Sequence, residues 1–100
     1  MKLKKIIDEI SNNKLSLNKV HNILINLKQK INSDYELIFN KSKSIGVYHE
    51  LLKEIGYLIN LIEFCIEGAF NFEDYISEIT SHLKNIDSIY SKLNLVCEIS

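Results

Sequence analysis

The sequence predicts an all-α fold: an antiparallel up-down helical bundle of three long helices and a short N-terminal helix. The chain of 100 residues contains no Pro and only three Gly, and Leu or Ile recurs at a strict seven-residue spacing. A period of seven is two turns of a slightly underwound helix, so the row marks a seam between packed helices. The row consists of Leu3, Ile10, Leu17, Leu24, Ile31, Ile38, Ile45, Leu52, Ile59 and Ile66.

The composition predicts a single domain over residues 1–100. Hydrophobic residues make up 46% of the chain, and seventeen of them are Ile and thirteen Leu. A chain of this size buries roughly two-thirds of its unfolded surface, which is enough for one core without disulfides or metals.

The first two helices are predicted at about 2–12 and 16–41. The second helix begins at Ser16, because a Ser hydroxyl can accept a hydrogen bond from a free backbone N–H of the first turn. Asp34 occupies a position where the seam requires an apolar residue. A kink or a restart of the helix near residue 33 is therefore an open alternative.

The last two helices are predicted at 45–69 and 72–97. The third helix keeps its apolar residues three and four apart throughout, which is the helical repeat. Asn71 is a candidate N-cap of the fourth helix, with Phe70 and Tyr75 at the two positions of a hydrophobic staple. The connections are short, and short connections place neighbouring helices antiparallel.

The charges are unevenly distributed along the chain. Residues 1–43 carry nine Lys and four acids, for a charge of +5, and residues 44–100 carry three Lys and nine acids, for −6. The basic and acidic helices either pack beside each other or steer different partners. Arg is absent. The chain therefore lacks the side chain that best forms bidentate hydrogen bonds with phosphates and bases. We therefore expect no binding of nucleic acid.

A cytoplasmic location without a membrane span is expected. Cys65 and Cys97 lie within apolar helical patterns and lack metal-type spacing, so free buried thiols in a reducing compartment are predicted. The most apolar stretch, residues 55–70, is shorter than a transmembrane helix and contains Glu63 and Glu67.

Tyr57, Leu61 and Phe64 form a second apolar stripe on the third helix, and they are the candidate partner-binding residues. Either the stripe is covered inside the bundle, or it contacts another protein or a second copy of the chain. Leu61 has apolar neighbours on both sides, which favours the core. Tyr57 and Phe64 stand near Glu54 and Glu67 in the sequence, which favours a partly hydrated protein interface for these two side chains.

No catalytic residue, metal site or cofactor is predicted. A di-iron bundle requires Glu-x-x-His, whereas Glu78 and His82 are four residues apart and His49 directly precedes Glu50. No Gly-rich phosphate loop and no Cys beside a His is present, so we do not expect an enzyme. The carboxylates and imidazoles weighed as metal ligands are His49, Glu50, Glu54, Glu63, Glu67, Glu78 and His82.

Two families share local patterns with this chain. The Lys-rich start and the segment from Phe72 to Leu83 resemble small bacteriocin immunity proteins, over about a quarter of the sequence. Ser44-Ile45-Gly46 stands where small type VII secretion substrates have a Trp-x-Gly turn, but the Trp is absent. Neither pattern assigns a family or a residue role.

The expected function is that of a small protein-binding module. The bias toward Lys, Ile and Asn is typical of AT-rich bacterial or phage genes. An inhibitor of the immunity, antitoxin or anti-defence type, which neutralises or regulates a partner protein, fits the absence of catalytic groups. The alternative is a structural or secretion-linked helical protein that works as a homo-oligomer, with a homodimer as its simplest form.

Overall fold

In a computed structural model that describes residues 1–99, five α-helices contain 78% of the described residues. No β-strand occurs within residues 1–99, where Lys2 and Glu98 form an isolated antiparallel bridge. The prediction of an all-α fold is confirmed. The helices are α1 (Leu3–Ser11), α2 (Leu17–Ser33), α3 (Tyr35–Ser42), α4 (Ile45–Ile66) and α5 (Phe72–Lys92).

The predicted set of three long helices and one short helix is wrong in detail. The helix expected over 16–41 restarts at Asp34, which confirms the alternative of a break near residue 33, and α3 is a separate helix of 8 residues. Asp34 is buried, and its carboxylate accepts a hydrogen bond from the Tyr90 hydroxyl at 2.9 Å and pairs with Lys30 at 3.0 Å. The polar residue at an apolar seam position thus joins the α2–α3 junction to α5.

Helices α4 and α5 end earlier than the predicted residues 69 and 97. Each is closed by a residue with a left-handed backbone, Gly68 at φ 86° and Asn94 at φ 58°. The backbone N–H of Leu95 donates to the Tyr90 carbonyl at 2.9 Å at the end of α5. The equivalent bond at the end of α4 runs from the Ala69 N–H to the Phe64 carbonyl, at 3.0 Å. These are Schellman motifs, in which Gly or Asn at the left-handed position stops the helix.

The segment after α5 pairs with the N-terminal residues at the start of α1 instead of continuing the helix. The Leu3 N–H donates to the Cys97 carbonyl at 3.1 Å, and the Ile99 N–H donates to the Met1 carbonyl at 2.8 Å. Cys97 was predicted on the fourth helix and is buried in this extended segment. Burial raises the pKa of the Cys97 thiol to about 12.

The seven-residue row follows the core as far as Ile38, apart from the partly buried Leu17, but of its four members in α4 only Ile59 is buried. Ile45 and Ile66 are 41% and 42% exposed. The fully buried row of α4 is Leu51, Ile55, Leu58 and Ile62. Each loop resets the rotation of the next helix, and a straight helix drifts by about 20° per heptad, so one heptad row does not describe all helices.

Helices α2 and α4 lie antiparallel. His21, near the start of α2, contacts Glu63 near the end of α4 at 3.4 Å. The Tyr48 hydroxyl, near the start of α4, donates to Asn32 near the end of α2 at 2.8 Å. The buried faces of these two helices, together with α1 and α5, form one hydrophobic core.

Gly56 lies inside α4, where its lack of a side chain has no packing role. A Cβ atom at this position meets no heavy atom within 4 Å. We therefore expect Gly56→Ala to stabilise the protein by about 0.5–1 kcal/mol, because Ala restricts the unfolded chain and favours the helix. The urea midpoint of unfolding measures this gain. Gly68→Ala is the matched control, and its left-handed backbone predicts a loss of about 1–2 kcal/mol. Equal effects of the two changes contradict the prediction.

Candidate protein-binding site

The predicted stripe on α4 is divided by the fold. Tyr57 and Phe64 are 44% and 48% exposed, whereas Leu61 is 5% exposed and belongs to the core. Residues seven apart point in nearly the same direction, about 10 Å apart along the axis. A residue four positions on is rotated by about 40°, which turns Leu61 toward the core. Only the two aromatic side chains reach solvent.

A third exposed aromatic residue extends this surface beyond the end of α4. Phe70 lies in the α4–α5 loop and is 40% exposed. Its ring centroid is 5.6 Å from that of Phe64 and 5.1 Å from that of Tyr75. The staple predicted between Phe70 and Tyr75 is confirmed, and the Asn71 side chain caps α5 by accepting from the Glu73 N–H at 3.2 Å. The staple pattern placed Phe70 beside α5 but did not indicate that it adjoins Phe64.

Polar side chains of α5 fix the position of Tyr57. The Tyr57 hydroxyl donates to Glu78 Oε1 at 2.5 Å, and the His82 ring lies 5.0 Å from the Tyr57 ring. This hydrogen bond to a carboxylate is the main reason that the pKa of Tyr57 is raised. The ring of Tyr57 is therefore held in one orientation at the surface.

His82 and Glu54 connect the two helices below Tyr57. His82 Nδ1 lies 2.5 Å from Glu54 Oε2, and Asn85 Nδ2 donates to Glu54 Oε1 at 3.0 Å. The second ring nitrogen of His82 lies 4.0 Å from Glu78. Glu54 precedes Tyr57 on α4, whereas its partner His82 follows Glu78, the partner of Tyr57, on α5. The two helices are therefore antiparallel. We call the surface formed by Tyr57, Phe64, Phe70, Tyr75 and this polar network the α4–α5 face.

The polar network contains some of the residues that were weighed as metal ligands. The structure brings Glu54, Glu78 and His82 together out of the weighed ligands, whereas Glu63 lies beside His21 at 3.4 Å. Both nitrogens of His82 face carboxylates. Within residues 1–99, no group of three or more His, Cys, Asp or Glu side chains is arranged to hold a metal ion.

The α4–α5 face is bordered by acids. Between Lys53 and Lys84 the sequence contains six acids and no Lys. A shallow cavity of about 310 Å³ is lined by Asn60, Glu63, Phe64 and Glu67, so two carboxylates flank the exposed Phe64 ring. A second cavity, of about 340 Å³, is lined by Glu50, Lys53, Glu54, Tyr57 and His82. The resulting surface is aromatic at its centre, and at its border the acids outnumber the one Lys, Lys53.

A separate aromatic patch lies where α3 meets α4. Tyr35 contacts Phe39 with ring centroids 6.4 Å apart and Tyr48 at 4.7 Å. Phe39 is 42% exposed, and Leu37 on the other side of α3 is 52% exposed. No spacing pattern in the sequence predicted this patch. Its side chains supply controls for experiments on the α4–α5 face.

No protein family, characterised protein or solved structure gives a significant match to this chain. Across residues 1–99, none of the helices combines the length and the apolar character needed to cross a bilayer. The assignment of a function therefore depends on the geometry and charge of the surface described above.

Proposed function

We propose that this chain is a small, non-enzymatic protein-binding module that neutralises or regulates a partner protein through the α4–α5 face. The observation that supports the proposal is the exposure of Tyr57, Phe64 and Phe70 on one surface. Large aromatic side chains dominate the energetics of protein interfaces, because they bury much area at a low cost in conformational entropy. A polar, solvent-accessible border around an aromatic centre is the usual arrangement of such an interface.

The polar groups of this face support binding over catalysis. Glu54, Glu78 and His82 contact each other, Tyr57 and Asn85. A nucleophile held by a base, which is the arrangement required for covalent catalysis, is not among these contacts. We assign the network the role of positioning Tyr57.

Inhibitors of the immunity, antitoxin or anti-defence type fit this proposal best. Their task is to occupy a surface of another protein, and a small helical bundle with one rigid aromatic face is sufficient for it. We propose that the protein acts in the cytoplasm, and the free, buried thiols of Cys65 and Cys97 support that location. The second candidate is a homo-oligomer in which two copies pair through the exposed Tyr57, Phe64 and Phe70 of this face.

Affinity purification from the source organism tests the proposal. Tyr57→Ser with Phe64→Ser is expected to lower recovery of the partner at least about 30-fold, because the loss of one interface hot spot costs about 2 kcal/mol or more. The helical circular dichroism spectrum should persist, since both side chains are half exposed. Leu37→Ser with Phe39→Ser is the matched control, since these side chains have similar exposure and lie outside the face.

Two outcomes contradict the proposal. One is the absence of any protein recovered in stoichiometric amount with the wild type. The other is equal recovery by the two double variants. Sedimentation velocity of the purified wild type addresses the second candidate. If the wild type is a dimer and Tyr57→Ser with Phe64→Ser dissociates it, the partner is a second copy of the chain and not a foreign protein.

A further inference from the structure

The charge around the α4–α5 face is predominantly negative. Glu63 and Glu67 line the outer flank of Phe64 on α4. On the other flank, Glu78 of α5 holds the Tyr57 hydroxyl. Lys53 lines the Tyr57 end of the face together with Glu50 and Glu54, and the next Lys along the sequence is Lys84. A partner surface that covers the aromatic centre must therefore face carboxylates along both of its edges.

The spacing of the aromatic side chains fits a helix. Tyr57 and Phe64 are seven residues apart on α4, which corresponds to about 10 Å. A second helix that lies along α4 presents apolar side chains at i, i+3, i+4 and i+7 over the same distance. Phe70 extends the apolar surface past the end of α4, where the ring of Phe64 contacts it. The face is thus long enough for about three turns of a partner helix.

We propose that the occupant of the α4–α5 face is a cationic amphipathic helix of the partner protein. This inference rests on the proposed function and specifies the chemistry of the contact. The apolar side of the helix covers Tyr57, Phe64 and Phe70, and Lys or Arg side chains along its edges meet Glu63, Glu67 and Glu78. Nucleic acids and anionic lipid surfaces carry the same sign of charge as this face and are repelled by it.

A pair of designed peptides provides the probe. The first is a helical peptide of about 18 residues, or five turns, with Leu at i, i+3, i+4 and i+7 and Lys at the remaining positions. In the second peptide every Lys is replaced by Glu. Fluorescence anisotropy of the labelled peptides is measured against the wild-type protein in about 0.1 M salt, at which charges more than about 10 Å apart are screened. We expect the Lys peptide to bind and the Glu peptide not to bind.

Variants separate a specific site from general attraction between opposite charges. Phe64→Ser should weaken binding of the Lys peptide at least about tenfold, and Glu63→Gln with Glu67→Gln should weaken it about three- to tenfold, since each interface contact of this kind is worth about 1 kcal/mol or more. Phe39→Ser and Asp8→Asn with Glu9→Gln are the matched controls on other surfaces and should bind as the wild type does.

Equal binding of both peptides overturns the inference. It is also overturned if Phe64→Ser binds as tightly as the wild type, or if removing the α1 acids weakens binding as much as removing Glu63 and Glu67. Failure of the Lys peptide, combined with loss of the natural partner on Tyr57→Ser with Phe64→Ser, rejects the cationic helix and leaves the proposed function intact. If instead the proposed function is wrong, the two double variants recover equal amounts of the partner in the affinity purification.

Discussion

Replacing Ile62 by Ala is expected to lower the free energy of unfolding by about 2–5 kcal/mol. Ile62 is fully buried in the row of α4 that faces the core, so the change removes apolar contacts and leaves a cavity. Ile66 is four residues further on and is 42% exposed. Ile66→Ala is therefore expected to change stability by no more than about 0.5 kcal/mol.

Urea unfolding followed by circular dichroism measures both effects. The midpoint of Ile62→Ala should fall while the m-value stays constant, which indicates a change in stability alone. The comparison also separates two assignments of the α4 face. If Ile66→Ala costs as much as Ile62→Ala, the seven-residue row is the true seam and the orientation of α4 described above is wrong.

The contrast between Ile62 and Ile66 shows what the sequence contains and what it lacks. The helical repeat of apolar residues is local, so the existence and type of the helices are predictable from it. The rotation of α4 about its axis depends on its contacts with α2 and α5. The seven-residue spacing crosses the three helix breaks before α4 and includes Ile45 and Ile66 because Ile and Leu are so frequent in this chain. The sequence contains seventeen Ile and thirteen Leu.

The ends of the helices were less predictable than their interiors. Asn94 stops α5 because it adopts a left-handed backbone at φ 58°, and Asn tolerates this conformation better than most residues. The apolar residues after it continue an apparently helical pattern up to Cys97. Only the hydrogen bonds of that segment to α1 reveal that it is extended.

The candidate site was predictable only in part for a similar reason. Tyr57 and Phe64 stand out as large aromatic residues seven apart, and helical geometry alone places them on one side of α4. Phe70 joins them through the turn between α4 and α5. Likewise, His82 meets Glu54 across 28 positions of sequence, which no spacing rule anticipates.

Replacing Asp34 by Ala is expected to cost about 3 kcal/mol. This value is at the lower end of the cost of breaking a buried ion pair, because the side chain of Lys30 is 30% exposed. The Tyr90 hydroxyl, on a side chain that is 1% exposed, then lacks its acceptor. The Asp34 side chain makes no capping hydrogen bond to α3, so the loss does not arise from the helix terminus. Urea unfolding measures the cost.

A double-mutant cycle isolates the contribution of the Asp34–Tyr90 contact. Burial and the hydrogen bond to Asp34 raise the pKa of Tyr90, so the phenol stays neutral and acts as the donor. Tyr90→Phe alone is expected to cost about 1.5–3 kcal/mol, since it removes a hydrogen bond to a charged acceptor. In the Asp34→Ala background the same change removes a hydroxyl that has already lost its partner, and should cost nothing or restore some stability. Additive costs of the two changes would show that the α2–α3 junction and α5 are not coupled through this bond.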